Sequence, residues 1–69
     1  MKVSYKKLWK KIIDLNITKT QLRLKSGIST VTLAKMGKDQ TVSMEALMKI
    51  CKVLDCDLKD ICEFVSSDS

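Results

Sequence analysis

Three cysteines have the most versatile side-chain chemistry in this chain, because a thiolate can bind a metal ion, act as a nucleophile or form a disulfide. Cys51, Cys56 and Cys62 are odd in number, and the chain contains no histidine to complete a common zinc-binding set. A disulfide or metal site would require two or more of them to converge with further ligands. We expect instead reduced thiols that pack as small hydrophobic side chains in a cytoplasmic protein.

Few residues are suited to catalysis. The chain lacks histidine and contains only two glycines, Gly27 and Gly37, so no glycine-rich loop can cradle a phosphate. Its acidic residues fall at the starts of predicted helices rather than forming a pair that faces a cleft. The sequence therefore predicts a protein that is not an enzyme and that binds no metal or other cofactor.

Positive charge is concentrated in the first part of the chain. Residues 1–38 contain ten Lys and Arg and one acidic residue, a net charge of +9. Residues 39–69 contain three Lys and seven acidic residues, a net charge of −4. A segregated positive half attracts a polyanion through its field and through the release of counterions, so this distribution indicates nucleic acid as a partner.

The elements that must position these charges are predicted to be helical throughout. A chain of 69 residues, 45% hydrophobic and 30% charged, predicts one compact domain over residues 1–69. Apolar residues recur three and four positions apart, and no segment alternates as a strand does. We therefore predict an all-α fold of five helices. Four of them span residues 3–16, 19–26, 30–36 and 57–65, and the fourth in chain order begins at residue 44 with a last turn that runs into residues 55–56. Residues 66–69 are expected to form a frayed tail.

The first predicted helix has an apolar stripe and a basic face. Ser4 is its expected N-cap, and the stripe consists of Tyr5, Leu8, Trp9, Ile12 and Ile13. The opposite face carries Lys6, Lys7, Lys10 and Lys11, which suit either flanking phosphates or an anionic membrane surface. A domain this small cannot leave such a large share of its apolar residues outside the core, so we favour a core position and no membrane partner.

Two short helices in the middle of the chain have clear boundaries in the sequence. Thr18 and Ser29 are suitable N-caps, and Gly27 and Gly37 are suitable residues for helix ends. The four-residue turn at residues 26–29 joins the two helices and contains Gly27. Such a turn crosses two helices steeply, so that one braces on the DNA backbone while the next enters the major groove.

The sequence here resembles the Cro and lambda-repressor-like helix-turn-helix proteins, also called the xenobiotic-response-element type. The resemblance covers residues 8–64 and rests on four segments: TKTQL at 18–22, SGIS at 26–29, TLAKM at 32–36 and SMEALMKIC at 43–51, with Leu54 beyond. The chain departs from the family pattern at Arg23, where a small residue is usual, and at Gly37, where an acidic residue is usual. The resemblance implies a lambda-repressor-like fold and a sequence-specific regulator of transcription.

The resemblance also implies which residues face DNA. It places five residues of the third helix on the face that enters the major groove: Thr30, Val31, Thr32, Ala34 and Lys35. Leu33 and Met36 point inward. The residue types fit this assignment, because small side chains permit close approach, methyl groups suit the thymine methyl, and lysine donates to guanine acceptors. The alternative is an ordinary exposed helix.

Phosphate contacts are expected beside this face. Lys19 lies at the positive end of the second helix, where a cation is unfavourable unless an anion arrives. Thr20 follows it, and Ser29 caps the third helix. Lys38, just past the third helix, offers a further phosphate site, and the resemblance also implicates the loop at residues 38–40, with Gln40. Each of these residues is also compatible with an ordinary solvated surface.

The sequence further predicts that two copies bind DNA together. A short domain gains affinity and specificity from two half-sites about 34–36 Å apart. Phe64 and Val65, apolar residues of the predicted last helix, are candidates for pairing two copies. The alternative function is a protein-interaction or antitoxin-like module of the same fold that docks a protein partner through this C-terminal helix.

Overall fold

The computed structural model describes residues 2–66, which form four α-helices, a 3-10 turn and two short strands. In chain order these are β1 (Lys2–Ser4), α1 (Lys6–Asp14), α2 (Lys19–Ser26), α3 (Thr30–Gly37), α4 (Met44–Leu54), the 3-10 turn Leu58–Asp60 and β2 (Glu63–Val65). The predicted count of five helices is therefore wrong, and the fold is mostly helical rather than all-α. Except for Ser66, the predicted frayed tail lies outside the described residues.

The first helix is shorter than predicted at both ends. It spans Lys6–Asp14 rather than residues 3–16, because residues 2–4 are extended and pair with β2. Ser4 is not the N-cap, since Tyr5 occupies that position and makes no capping hydrogen bond with its side chain. Beyond the other end, Asn16 has a φ of 61°, which is incompatible with a continuing helix.

A two-stranded antiparallel sheet replaces the second half of the predicted fifth helix. Val3 lies opposite Phe64, with Lys2 opposite Val65 and Ser4 opposite Glu63. The capping box between Asp57 and Asp60 does begin a helical turn, but this turn ends after three residues. The backbone groups of β2 then bond to a distant strand, an alternative that helical spacing alone does not reveal.

The boundaries predicted for α2 are confirmed. Thr18 is the N-cap: its Oγ1 accepts a hydrogen bond from the Gln21 backbone N–H, and Gln21 Oε1 accepts one from the Thr18 N–H, at 3.1 and 2.9 Å. Gly27 ends the helix with a φ of 78°, a left-handed conformation that glycine adopts without a Cβ clash. Ser26 is buried, and its hydroxyl donates to the Leu22 carbonyl at 2.7 Å.

The third and fourth helices begin at the predicted caps. Ser29 Oγ accepts from the Thr32 N–H, and Ser43 Oγ accepts from the Ala46 N–H. α3 ends at Gly37, as expected, but the left-handed residue of the following turn is Asp39, with a φ of 55°. α4 ends at Leu54 rather than running into residues 55–56, because the following residue, Asp55, is left-handed; its N–H donates to the Cys51 carbonyl.

The core lies where α1, α2 and α4 meet the sheet and the 3-10 turn. Its fully buried large side chains are Tyr5, Leu8, Leu22, Met36, Ile50 and Ile61. The apolar stripe of α1 therefore packs inside the domain, as favoured above, although Ile13 at its edge is 73% exposed and does not belong to the core. No helix within residues 2–66 has the length and apolar character needed to cross a membrane.

Candidate nucleic-acid interface

α2 and α3 form one unit that is anchored to the rest of the domain by three buried side chains. Leu22 of α2 and Met36 of α3 are fully buried, and Ile28 in the turn between them is also buried. α2 packs mainly against α4, which holds the unit on the core. Because each helix and the turn has an apolar anchor, the opposite face of α3 has a fixed orientation.

The outer face of α3 consists of exposed side chains, most of them small. Thr30, Val31, Ala34 and Lys35 are exposed, whereas Leu33 is half-buried against the core. The structure thus brings four of the five predicted base-contacting residues onto one solvent-facing surface. This surface offers methyl groups and a single ammonium group, a combination suited to thymine methyls and guanine acceptors in the major groove.

Thr32, the fifth predicted residue, has a different environment. It is half-buried; its backbone N–H donates to Ser29 Oγ at 3.1 Å, and its hydroxyl lies 2.9 Å from that same oxygen. Ser29, a predicted phosphate contact, therefore shares its hydroxyl with the cap. This hydrogen bonding stabilises the first turn of α3 and directs the Thr32 hydroxyl toward Ser29.

The N-terminus of α2 contains two predicted phosphate contacts, Lys19 and Thr20, and both are exposed. The Lys19 ammonium lies over the ring of Trp9, 4.4 Å from its centroid, in a cation–π contact. From its spacing Trp9 was expected in the core, and this contact was not predicted. It depends on the turn that brings the end of α1 back to the start of α2, and residue spacing gives no signal for it.

The loop after α3 contains the other two predicted phosphate contacts, Lys38 and Gln40, both exposed. The Gln40 carbonyl accepts a hydrogen bond from the Tyr5 hydroxyl at 2.8 Å, and its N–H donates to the Lys35 carbonyl at 2.9 Å. Asp39 Oδ1 accepts from the Tyr5 N–H at 3.4 Å. Burial raises the pKa of Tyr5, with smaller contributions from Cys62 and Asp39, so its hydroxyl stays protonated as the donor.

A polar cleft of about 300 Å³ lies beside α3, where the capping residues of α3 and α4 meet. Ser29 and Ser43 line it, together with Lys49, whose Nζ lies 3.6 Å from Glu45 Oε1. Ser43 was predicted only as a cap, and Lys49 was not expected near the predicted DNA-facing surface. The i, i+4 spacing of Glu45 and Lys49 does signal the ion pair itself.

The three cysteines are free thiols, and their side chains lie half-buried against the core. Burial raises the pKa of Cys51 to about 11, and Cys56 is the next largest cause. Burial also raises the pKa values of Cys56 and Cys62, while Lys11 and Lys7 respectively oppose those shifts. Within residues 2–66, no three His, Cys, Asp or Glu side chains are grouped so as to hold a metal ion.

Two capped helices joined by a left-handed glycine, with a small-residue outer face and cations around it, define a helix-turn-helix domain. The family model for the Cro/C1-type HTH DNA-binding domain matches residues 7–67. The match covers nearly the whole chain, so the chain belongs to this family, and the resemblance inferred from the sequence is confirmed.

A solved structure supports the same assignment. The chain is similar to the transcriptional regulator VanUg in its crystal form II, with 48% sequence identity and a TM-score of 0.87. The similarity covers 90% of this chain and 83% of that one. Comparison with curated proteins found no match.

Proposed function

We propose that this chain is a sequence-specific, double-stranded DNA-binding regulator of transcription that reads the major groove with α3. The observation that carries the proposal is the outer face of α3, where Thr30, Val31, Ala34 and Lys35 are exposed on a helix anchored by the buried Met36. Membership of a DNA-binding family and the similarity to VanUg, a transcriptional regulator, support it. The Cro/C1-type HTH family is not typically enzymatic.

In this proposal the cations around α3 set the position of the domain on the DNA backbone. Lys19 and Thr20 contact phosphate at the start of α2, where the helix dipole favours an anion. Lys38 and Gln40 contact phosphate from the loop after α3, and the bond from Tyr5 to the Gln40 carbonyl supports that loop. Ser29 contacts phosphate at the N-terminal end of α3. Thr32 contacts a base through its methyl group more than through its hydroxyl, which lies 2.9 Å from Ser29 Oγ.

Two copies on one site remain part of the proposal. The two residues predicted to pair them lie on β2 rather than on a helix: Phe64 is 75% exposed, whereas Val65 is half-buried. A large exposed aromatic side chain also favours the alternative function, docking of a protein partner on this side of the molecule. Sedimentation of the protein over a concentration series, alone and with duplex, tests the dimer; a monomer at every concentration and a single copy per duplex contradict it.

The decisive experiment is selection of bound duplexes from a random-sequence pool, followed by sequencing. We expect one enriched motif, with two half-sites related by symmetry if two copies bind. A pool that stays random through repeated rounds contradicts specific regulation and leaves the protein-docking alternative. This measurement reports specificity, symmetry and half-site spacing together.

Substitution of two lysines separates reading from positioning. Lys35→Ala should relax the preference for the enriched motif over other duplexes, because a good base contact contributes about 1–3 kcal/mol of discrimination. Lys38→Ala should weaken binding to all duplexes alike and lower the slope of log affinity against log salt by about 1. Titrations of specific and scrambled duplexes at several salt concentrations measure both; equal loss of preference in the two variants contradicts the assigned roles.

A further inference from the structure

We propose that Trp9 is a positioning residue of the DNA interface, because its ring holds the Lys19 ammonium at the N-terminus of α2, where a backbone phosphate binds. The inference rests on the proposed function and goes beyond it, since Trp9 belongs to α1, outside the helix-turn-helix unit. Its role is to act through Lys19 rather than to contact DNA itself.

The contact joins two elements that the chain brings together through a tight turn. Trp9 is half-buried in the middle of α1, packed against the core, so its ring has a fixed position. Lys19 is the first residue of α2, and its ammonium lies 4.4 Å from the ring centroid, within the reach of a cation–π interaction. A flexible side chain is thereby held against a rigid one.

Electrostatics at this helix end gives the contact its importance. The first turn of α2 contains no acidic residue, so nothing on the helix itself balances a cation at its positive end. The ion pairs of the described chain join Lys7 to Glu63 and Lys49 to Glu45, and neither involves Lys19. The negative face of the Trp9 ring supplies the attraction that keeps the Lys19 ammonium at this end.

The backbone at the same end is ready for an acceptor. The capping box uses the N–H of Gln21, which donates to Thr18 Oγ1, and the N–H of Leu22 donates to the Thr18 carbonyl. The first two amides of the helix, those of Lys19 and Thr20, have no acceptor within a helix. A phosphate at these amides meets an ammonium that is already in place, so less side-chain freedom is lost on binding.

A first experiment tests the contact in the free protein. Protons above an aromatic ring resonate upfield, so the Lys19 ε-methylene should be shifted upfield in the NMR spectrum of the native chain. Trp9→Leu should remove the shift, and Trp9→Phe should reduce it. An ε-methylene with the same chemical shift in the native protein and in Trp9→Leu overturns the proposal, whatever the protein binds.

A second experiment is a double-mutant cycle on DNA. The probe is the duplex most enriched in the selection or, where none is enriched, a random-sequence duplex at low salt. Trp9→Leu should lower affinity about two- to five-fold, the range that an exposed cation–π contact provides, with an unchanged salt slope because the charge of Lys19 remains. Lys19→Met should lower both the affinity and the slope. In the Lys19→Met background, Trp9→Leu should have no further effect.

Matched variants separate positioning from packing. Lys25→Met removes one exposed cation from the other end of α2, and its effect should simply add to that of Trp9→Leu. Lys19→Arg should retain most of the affinity that Lys19→Met loses, since arginine keeps the charge and also stacks on aromatic rings. Where Trp9→Leu unfolds in a thermal scan, Trp9→Phe takes its place in the cycle with a smaller expected loss. An equal loss from the Trp9 substitution with and without Lys19 overturns the proposal.

The two proposals fail in different ways. A selection that enriches no motif contradicts specific regulation. The NMR shift of Lys19 can still be measured, as can the coupling between Trp9 and Lys19 in the affinity for a random-sequence duplex. Conversely, an enriched motif with no coupling between Trp9 and Lys19 retains the regulator and removes the positioning role of Trp9.

Discussion

The helix-turn-helix unit and the C-terminal region each contain a capping box, yet their surfaces are opposite in charge. α2 begins with a capping box between Thr18 and Gln21, and the 3-10 turn begins with one between Asp57 and Asp60. Residues 15–38 contain five cations and no acidic residue, whereas residues 55–66 contain four acidic residues and one lysine. Similar hydrogen bonding therefore supports a positively charged surface in one region and a negatively charged surface in the other.

The two regions also differ in how they use apolar side chains. In the helix-turn-helix unit the buried residues anchor the helices, and the exposed face of α3 is formed largely by small side chains. In the C-terminal region, Ile61 fills the core while Phe64 remains exposed on β2. The proposed DNA-facing surface therefore depends on a few buried anchors beneath it, whereas Ile61 of the C-terminal region completes the core.

The largest expected effect comes from removing an anchor of the helix-turn-helix unit. Leu22 is fully buried on α2, and Leu22→Ala should lower the free energy of unfolding by about 2–5 kcal/mol. A small domain has only about 3–5 kcal/mol in total, so much of the protein should be unfolded. Urea titration followed by circular dichroism measures the loss, with DNA affinity falling in parallel.

Leu24→Ala on the same helix is the matched control. Leu24 is 65% exposed, and its replacement should change the free energy of unfolding by less than about 0.5 kcal/mol. Comparable losses in the two variants contradict the view that the unit depends on its buried anchors.

An intermediate effect should distinguish the two capping boxes. Thr18→Ala and Asp57→Ala each remove an N-cap side chain, and each should lower stability by about 1 kcal/mol. Only Thr18→Ala should weaken DNA binding, because it loosens the end of α2 that is proposed to contact phosphate, whereas Asp57→Ala removes a negative charge. Thermal unfolding and duplex titration of both variants give the comparison; a loss of DNA affinity in Asp57→Ala equal to that in Thr18→Ala contradicts it.

The expected effect that is smallest at neutral pH is the contribution of Cys51 to the pH dependence of stability. The pKa of Cys51 is raised from 9.0 to about 11 in the folded protein, so between these values the folded state retains a proton that the unfolded state loses. Stability should therefore fall as the pH rises from 9 to 11, and it should be unaffected by this group below 9. Urea midpoints across this range should fall less steeply in Cys51→Ala, which retains Tyr5, Cys56 and Cys62, the other groups whose pKa values are raised. Equal slopes in the two proteins contradict the raised pKa.

The helix-turn-helix unit was predictable because its boundaries depend on nearby residues. The caps Thr18 and Ser29, like Ser43 at the start of α4, each accept from an amide three positions further along the chain. Gly27 supplies a left-handed conformation that few other residues adopt. Such local signals are fully contained in the sequence. The exposed face of α3 follows from the same helical period once its ends are known.

The ends of the chain were not predictable in this way. The segments 2–4 and 63–65 pair across sixty residues, and three residues are too few for alternation to be visible. The contact between Trp9 and Lys19 and the cleft between Ser29 and Ser43 also depend on how separate helices meet. For α1, the apolar stripe was predicted correctly at its centre, where Leu8 and Ile12 are buried. At its edge it is narrower than predicted, and Ile13 faces solvent.

The bond between the Tyr5 hydroxyl and the Gln40 carbonyl spans 35 positions of sequence and has a practical consequence for fragments of this domain. A fragment that begins at Lys6 retains all four helices and appears sufficient by helix content alone. It lacks the side chain that fixes the backbone of the loop after α3, and it lacks the strand that pairs with β2. Residues 2–5 therefore belong in any minimal DNA-binding unit, even though no part of them lies in the helix-turn-helix.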